Sequence, residues 1–166
     1  MLIMVMKEAI LDTLSPAAHN FPHYNVDVSD INEALDHGIA NCAVRAYANG
    51  LLLREAYPSE RPFGVQFGFD KTHGDELIGE NGKYIKNGHA VVNLWLPDQD
   101  FLVVESFTNS EVTVAFPNED HDEMIWMNLD AGYLTYLWLA GLGEVEVNPD
   151  EILNVMQKKS AQLVYS

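Results

Sequence analysis

The stretch 38–57, GIANCAVRAYANGLLLREAY, contains a predicted helix with almost no polar face, and this helix limits how the remaining elements can be arranged. Alanine, leucine, arginine and glutamate dominate residues 43–57, and Val44 is the only β-branched residue, a composition that favours helix over strand. Small or apolar residues lie on most sides of this helix. We therefore expect other elements to cover it, so that it lies largely buried.

The single cysteine of the chain stands at the start of this helix. Gly38 and Asn41 suit a loop that leads into a helix, and Pro58 suits its end. The backbone N–H groups and the dipole of a helix N-terminus stabilise an anion, so Cys42 is a candidate thiolate nucleophile. The alternative is a small buried core residue, which is what a lone cysteine in an intracellular domain usually is. One cysteine cannot form an intramolecular disulfide, and nothing points to an oxidising compartment.

Length and charge restrict the class of protein. A chain of 166 residues with 48% hydrophobic residues predicts one globular domain, 1–166. Its 25 acidic residues against 9 basic ones, a formal charge of −16, disfavour nucleic acid and anionic membrane surfaces as partners. A basic substrate or protein would be attracted to this charge. The charge is also explained without such a partner, because a high net charge keeps a protein soluble. With neither a signal peptide nor an apolar stretch of about 18 residues, a cytoplasmic location is expected.

The remaining patterns predict helices at both ends of the chain and an antiparallel sheet between them, which is an α+β fold. The predicted elements are a helix over 3–14, an irregular connection over 15–28, a helix over 29–37 capped by Ser29, a strand over 62–69, a polar loop over 70–88, a hairpin of strands 89–96 and 101–104, a strand over 111–116, a solvated loop over 118–123, a buried helix over 129–142 and a last helix from 148 to 163. Three tryptophans in apolar runs are expected in the core: Trp95, Trp126 and Trp138.

The sequence contains no convincing metal or cofactor motif. His19 and His23 have the four-residue spacing of a helical metal pair, but Pro22 lies between them. A second set of polar residues belongs to the predicted loop 70–88, where solvation explains them better: His73, Asp75 and Glu76. No glycine-rich phosphate-binding motif is present. We therefore expect neither a metal nor a cofactor.

Two residues of the predicted hairpin can complete an active site around Cys42. A thiol nucleophile needs a base that accepts its proton, and a third polar group that orients the base. His89 stands at the start of the first strand, and Glu105 follows the apolar run of the second strand. If 97–100 were a plain four-residue loop, Glu105 would point to the face opposite His89, so a bulge or an odd-length loop is required.

Other residues compete for these roles. Asp98 and Asp100 are alternatives to Glu105, although both also suit a turn. Asn41 is a candidate donor to an oxyanion hole because it adjoins Cys42. Tyr24 and Asn25 are further candidates, and ordinary loop hydrogen bonding explains each of them equally well.

The order of cysteine at a helix start, histidine at a strand start and acid sixteen positions later resembles the transglutaminase-like branch of the papain-like fold. The resemblance covers about 38–109, and its central run reads HAVVNLWLPDQDFLVVESFTN. It implies a papain-like core, with a central helix packed on an antiparallel sheet between flanking N- and C-terminal helices. It also implies Cys42 as nucleophile, with its backbone N–H in the oxyanion hole, His89 as general base and Glu105 as orienting group. Glutamate replaces the usual aspartate.

The predicted function is cysteine-dependent acyl chemistry through a thioester. Hydrolysis of an amide or peptide bond in a peptide or protein substrate, possibly a basic one, is the first choice because water is always present. An amine acceptor would make the protein an acyltransferase. Two alternatives remain open: a catalytically inactive binding module or acidic partner with the same fold, and an unrelated α+β domain whose cysteine packs in the core.

Overall fold

A computed structural model describes residues 2–58, 64–70, 89–98, 100–107, 111–143 and 145–165 of the chain. Within these ranges the chain has the predicted α+β class, with helices and an antiparallel sheet. Nearly all of the polar loop predicted over 70–88, including His73, Asp75 and Glu76, lies outside the described residues. In the described ranges, none of the helices has the length and apolar character needed to span a membrane.

Along the chain, a mainly helical part comes first, the strands of the main sheet follow, and two helices come last. The helices are α1 (Leu2–Thr13), α2 (Ser15–Asn20), α3 (Ile31–His37), α4 (Cys42–Ala56), α5 (Leu129–Leu139) and α6 (Pro149–Tyr165). The strands are β1 (His23–Tyr24), β2 (Ile39–Ala40), β3 (Val65–Asp70), β4 (Ala90–Trp95), β5 (Phe101–Ser106), β6 (Val112–Ala115) and β7 (Met124–Asn128). A short 3₁₀ helix, Glu119–His121, precedes β7.

Five of the described strands form an antiparallel sheet in the order β6-β5-β4-β3-β7. The two short strands β1 and β2 form a separate parallel pair just before α4. Helix α4 lies against β3, β4 and β5, and α5 lies against β3 and β7. The β4–β5 hairpin and β6 confirm the strands that the sequence predicts over 89–116.

Helix α4 is buried along most of its length, as its apolar composition predicts. Every residue from 42 to 53 is buried. Its Tyr47 ring stacks on the Tyr133 ring of α5 with a centroid distance of 4.3 Å. The Tyr47 hydroxyl donates to Asp130 at 2.6 Å, and Arg54 forms an ion pair with the same carboxylate. These contacts hold α4 against α5, because two polar side chains of α4 share one carboxylate on the neighbouring helix.

Helix α3 ends as predicted but begins one residue later. Gly38 adopts a left-handed backbone with φ of 69°, the conformation that glycine allows at a helix C-terminus. The predicted N-cap, Ser29, is wrong: Asp30 caps the helix by accepting from the Asn32 N–H. The Ser29 hydroxyl instead lies 2.6 Å from the Asn41 side-chain amide, a partner that is distant in the sequence.

The irregular connection predicted over 15–28 is wrong for its first part, which forms α2. Pro16 lies in the first turn of α2, where its missing N–H removes no helical hydrogen bond. Asn20 donates to the carbonyl of Met156, and His19 lies 2.7 Å from the Ser160 hydroxyl. Tertiary contacts with α6 therefore stabilise a helix too short to be evident from sequence periodicity.

The solvated loop predicted over 118–123 is confirmed in part, since five of its six residues are exposed. It contains the 3₁₀ helix Glu119–His121, and His121 is buried. Strand β7 follows at once and pairs with β3 at the edge of the sheet. Its residues are mostly apolar without alternation, and no turn separates it from α5, so the sequence pattern does not reveal it.

The prediction that the three tryptophans belong to the core is wrong for Trp138, which is 62% exposed on α5. Trp95 and Trp126 are partly buried and lie on either side of Phe101, with ring centroids 4.9 and 5.5 Å from it. Helix α5 is apolar on nearly all sides, but the rest of the fold covers only part of it. Its uncovered face also exposes Leu134.

We predict that Gly132→Ala destabilises the protein, although alanine favours helices. A Cβ at Gly132 would lie 2.7 Å from the Cβ of Phe67, an atom that the β3 backbone holds in place. Overpacking destabilises a fold by about 1–3 kcal/mol, whereas the higher helix propensity of alanine stabilises it by about 1 kcal/mol. Urea unfolding should therefore show a net loss of about 1 kcal/mol. The control is Ala131→Gly, the reverse change at an exposed neighbour, which measures helix propensity alone. If Gly132→Ala stabilised the protein, the close packing of Gly132 against Phe67 would be contradicted.

Candidate active site

Cys42 is the first residue of α4, so its side chain lies at the N-terminal end of a fifteen-residue helix. The side-chain oxygen of Asn41 caps this helix by accepting from the Val44 N–H at 3.0 Å. Cys42 itself is buried, with 7% of its surface exposed. A helix N-terminus stabilises a negative charge, and this position is therefore suited to a thiolate.

The structure brings the side chains of Cys42 and His89 together, although they lie 47 positions apart in the sequence. His89 immediately precedes β4, and its imidazole forms a hydrogen bond with the Cys42 side chain. The other ring contact is between Nε2 and the Oε2 atom of Glu105, at 2.5 Å. Since Nε2 is engaged by the carboxylate, we assign Nδ1 as the ring nitrogen that exchanges a proton with the sulfur. The catalytic roles of the three residues stay a prediction.

The register of the β4–β5 hairpin explains how Glu105 reaches His89. The closing pair is Trp95 with Phe101, so five positions, 96–100, form the connection. Val92 pairs with Val104, which places Glu105 opposite Val91 and on the same face as His89, two residues away. The four-residue loop considered from the sequence is therefore wrong, and the odd-length connection that the triad requires is present.

The charges of His89 and Glu105 are stabilised by each other and by their neighbours. The pKa of His89 is raised to about 10. The largest cause is its hydrogen bond to Cys42, the next is its hydrogen bond to Glu105, and burial acts in the opposite direction. The hydrogen bond from His89 lowers the pKa of Glu105, and a weaker contact with His121 adds to this effect. At neutral pH the site therefore contains an imidazolium between a carboxylate and the cysteine sulfur.

Two tyrosines and an arginine surround Cys42. Burial and the nearby cysteine raise the pKa of Tyr24. The same two causes raise the pKa of Tyr136, which lies on α5. Arg45 is buried and donates to the carbonyls of Phe21 and Phe107 at 3.2 and 3.0 Å, and its guanidinium lies 5.6 Å from the centre of the Tyr24 ring. Both tyrosine hydroxyls therefore remain neutral at neutral pH.

The structure assigns Asn41 a different role from the predicted oxyanion donor. Its side-chain oxygen caps α4, and its amide donates to the Ser29 hydroxyl at 2.6 Å and to the Val26 carbonyl at 3.4 Å. Because both ends of the amide are engaged, Asn41 acts as a buried cap. The Asn25 side-chain oxygen likewise accepts from the Asp27 N–H in an exposed turn.

Asp98 and Asp100, the alternatives to Glu105, belong to the turn. The side-chain oxygen of Asp98 accepts from the Asp100 N–H at 3.3 Å, and both residues are exposed. They lie at the end of the hairpin opposite to His89, because β4 runs from the histidine toward this turn. Glu105 is therefore the acidic residue that the structure places beside His89.

His121 is a neighbour of this site that the sequence analysis missed. Its Nε2 atom lies 3.3 Å from the Oε1 atom of Glu105. The signal in the sequence is the pair Asn118 and His121 at the spacing of a capping box, which the 3₁₀ helix forms. The acidic composition of 118–123 concealed this signal, since it is typical of a solvated loop.

In the described part of the chain, no three histidine, cysteine, aspartate or glutamate side chains are arranged to hold a metal ion. A groove of about 640 Å³ lies elsewhere, between α3 and the start of α6, and its lining includes Asp36, Glu146 and Glu151. It shares no residue with the site around Cys42.

Comparisons of the chain with protein-family models, with curated proteins and with solved structures found no match. Any function assigned to the chain therefore rests on the geometry of these side chains. The fold and site define an α+β protein in which a helix N-terminus presents a cysteine to a histidine–glutamate pair.

We predict that Glu105→Gln lowers the pKa of His89 from about 10 toward its ordinary value, because the amide carries no negative charge. The bond to Cys42 remains, so the pKa stays above about 6.5. In the wild type the imidazolium stabilises the fold fully below about pH 6.5, and this contribution is lost as the pH rises through about 10. The variant should lose it at lower pH.

An NMR titration of the His89 ring measures this shift. The matched control is Glu33→Gln, which removes an exposed carboxylate from α3 and should leave His89 unchanged. If the pKa of His89 is the same in Glu105→Gln as in the wild type, the carboxylate does not support the imidazolium.

Proposed function

We propose that the protein is a cysteine-dependent enzyme that hydrolyses an amide or peptide bond through a thioester. The observation that supports this proposal is the continuous chain of contacts from Cys42 through His89 to Glu105, beginning at a helix N-terminus. A nucleophile, a base and a group that orients the base are the parts that this chemistry requires.

In the first half of the reaction, the Cys42 thiolate attacks the carbonyl carbon and a C–S bond forms. The carbonyl oxygen becomes an oxyanion, for which we assign the backbone N–H of Cys42 in the first turn of α4 as a donor. When the C–N bond breaks, His89 gives its proton to the leaving amine. Glu105 holds the imidazole in position and stabilises its charged form.

In the second half, water attacks the thioester while His89 accepts one of its protons. The C–S bond breaks, the acid leaves, and the thiolate of Cys42 forms again beside the imidazolium. Each proton transfer uses the same ring nitrogen, because Nε2 remains bonded to Glu105 throughout. A residue with two occupied nitrogens is suited to this exchange, since its orientation does not change between the two steps.

We also propose that the protein is a transglutaminase-like member of the papain-like fold. A buried helix that begins with cysteine and packs on an antiparallel sheet carrying the histidine and the acid is the arrangement expected for a transglutaminase-like member of the papain-like fold. The helices at both ends of the chain accord with that expectation. Glu105 stands where that branch usually has aspartate, and it still reaches His89.

We propose a peptide or protein as substrate, because the reaction needs an amide carbonyl. The formal charge of −16 would attract basic substrates and repel nucleic acid. Water is the proposed acceptor. An amine acceptor would use the same thioester and convert the protein into an acyltransferase, so analysis of the products distinguishes the two activities.

We predict that iodoacetamide alkylates Cys42 rapidly near pH 6.5, and that His89→Ala slows this reaction about ten- to hundredfold. A free thiol, with a pKa of about 8.5, is only about 1% ionised at that pH, whereas an imidazolium partner stabilises the thiolate. Mass spectrometry of the labelled protein over a range of pH gives the rates. The matched control is His37→Ala, which removes an exposed histidine from α3.

Two outcomes would overturn the proposal. A Cys42 that reacts only after unfolding is a core thiol, and one whose rapid labelling ignores His89 is exposed without being activated. Incubation with a peptide library, followed by mass spectrometry of the intact protein, should then trap an acyl group on Cys42. A reactive Cys42 that never acquires an acyl group would indicate the inactive binding module.

A further inference from the structure

The carboxylate of Glu105 lies between two imidazoles. Its Oε2 atom contacts His89 at 2.5 Å, and its Oε1 atom contacts His121 at 3.3 Å. Exposure of the side chains rises along this row, from 6% for His121 through 17% for Glu105 to 35% for His89. The row therefore has a buried end at His121 and an open end at the histidine that faces Cys42.

The tautomer of His121 follows from its second contact. The backbone N–H of Asn118 donates to the Nδ1 atom of His121 at 3.1 Å, as part of the capping box of the 3₁₀ helix. A nitrogen that accepts a hydrogen bond carries no proton, so Nδ1 is unprotonated and Nε2 carries the hydrogen of the neutral ring. The Nε2–H group therefore donates to Glu105.

We propose that His121 is a positioning residue for the proposed reaction: it fixes the Glu105 carboxylate, which in turn orients His89 toward Cys42. This inference rests on the proposed function and adds a fourth residue to the site. Glutamate has one more rotatable bond than aspartate, and a contact at one oxygen leaves the carboxylate free to turn. A donor on the second oxygen restricts that rotation, so the longer acid can act as a fixed acceptor.

The neutral state of His121 suits this role. A ring whose Nδ1 accepts a hydrogen bond places no second positive charge beside His89. The hydrogen bond from His89, and after it the one from His121, lowers the pKa of Glu105. The 3₁₀ helix holds the ring through its backbone, since the N–H of Asn118 donates to the Nδ1 atom of His121. Both features lead the carboxylate to favour the protonated form of His89.

The experiment compares variants of the full chain that differ in the donor at position 121. His121→Phe fills a similar space without a donor, His121→Ala removes the ring, and His121→Gln places an amide N–H at the reach of Nε2. The matched control, Asn118→Ala, removes a side-chain contact of the same 3₁₀ helix but keeps both the imidazole and the backbone N–H that bonds to it. Circular dichroism selects the folded variants.

Two quantities are measured in each folded variant: the alkylation rate of Cys42 against pH, and the ¹⁵N shifts of the histidine rings. We expect His121→Phe and His121→Ala to slow alkylation at neutral pH about three- to tenfold, the effect of losing one hydrogen bond. The titration of His89 should move to lower pH in both. His121→Gln should retain most of the wild-type rate, and Asn118→Ala should keep both properties. In the wild type, His121 should show the Nε2–H tautomer.

An unchanged His89 titration in folded His121→Phe would overturn the proposal, as would a proton on Nδ1 of His121 in the wild type. A loss in His121→Gln as large as in His121→Phe would also oppose it, because the amide supplies the donor. The two proposals can fail separately. If Cys42 reacts through His89 but ignores position 121, only the positioning role is wrong. If Cys42 is inert while the His89 titration responds to His121, the proposed function is wrong and the contact stands.

Discussion

Burial of α4 is the constraint on which the site depends. A helix with apolar residues on most sides has to be covered, and here β3, β4 and β5 lie against it together with α5. Its few polar groups are used to hold it in place: Asn41 caps its first turn, Arg45 bonds two carbonyls, and Arg54 pairs with Asp130. A helix fixed in this way has a fixed N-terminus. Cys42 is therefore presented at one position relative to the end of the sheet.

The second constraint is the register of one hairpin. Neighbouring residues of a strand point to opposite faces, so a shift of one residue between β4 and β5 would move Glu105 away from His89. The five-position connection 96–100 gives the register that places both side chains on one face. A local property of the turn therefore decides whether the acid reaches the imidazole at the far end of the hairpin.

The polar row that results alternates donors and acceptors over four side chains. His121 donates to Glu105, Glu105 accepts from His89, and His89 faces Cys42. Partly buried charges are tolerated when each has a partner, and each member of this row has one. The imidazolium lies between the carboxylate and the cysteine, so the sulfur faces a positive group inside a protein whose formal charge is −16.

Sequence alone determined the elements that depend on local patterns. The helix from Cys42, the β4–β5 hairpin and the glycine that ends α3 all follow from periodicity and from turn or capping residues. It also nominated Cys42, His89 and Glu105, which the structure brings together, because each stands at the end of a predicted helix or strand.

Tertiary structure alone decided which side chains meet. Ser29 bonds Asn41 instead of capping α3, α2 is stabilised by α6, and Trp138 is left uncovered on a helix that looks buried from its composition. His121, in an acidic run typical of a solvated loop, becomes a buried neighbour of Glu105. Each of these outcomes depends on how elements that are distant along the chain pack together. Local sequence patterns contain no information about such contacts, since only the packed fold sets the distances between the elements.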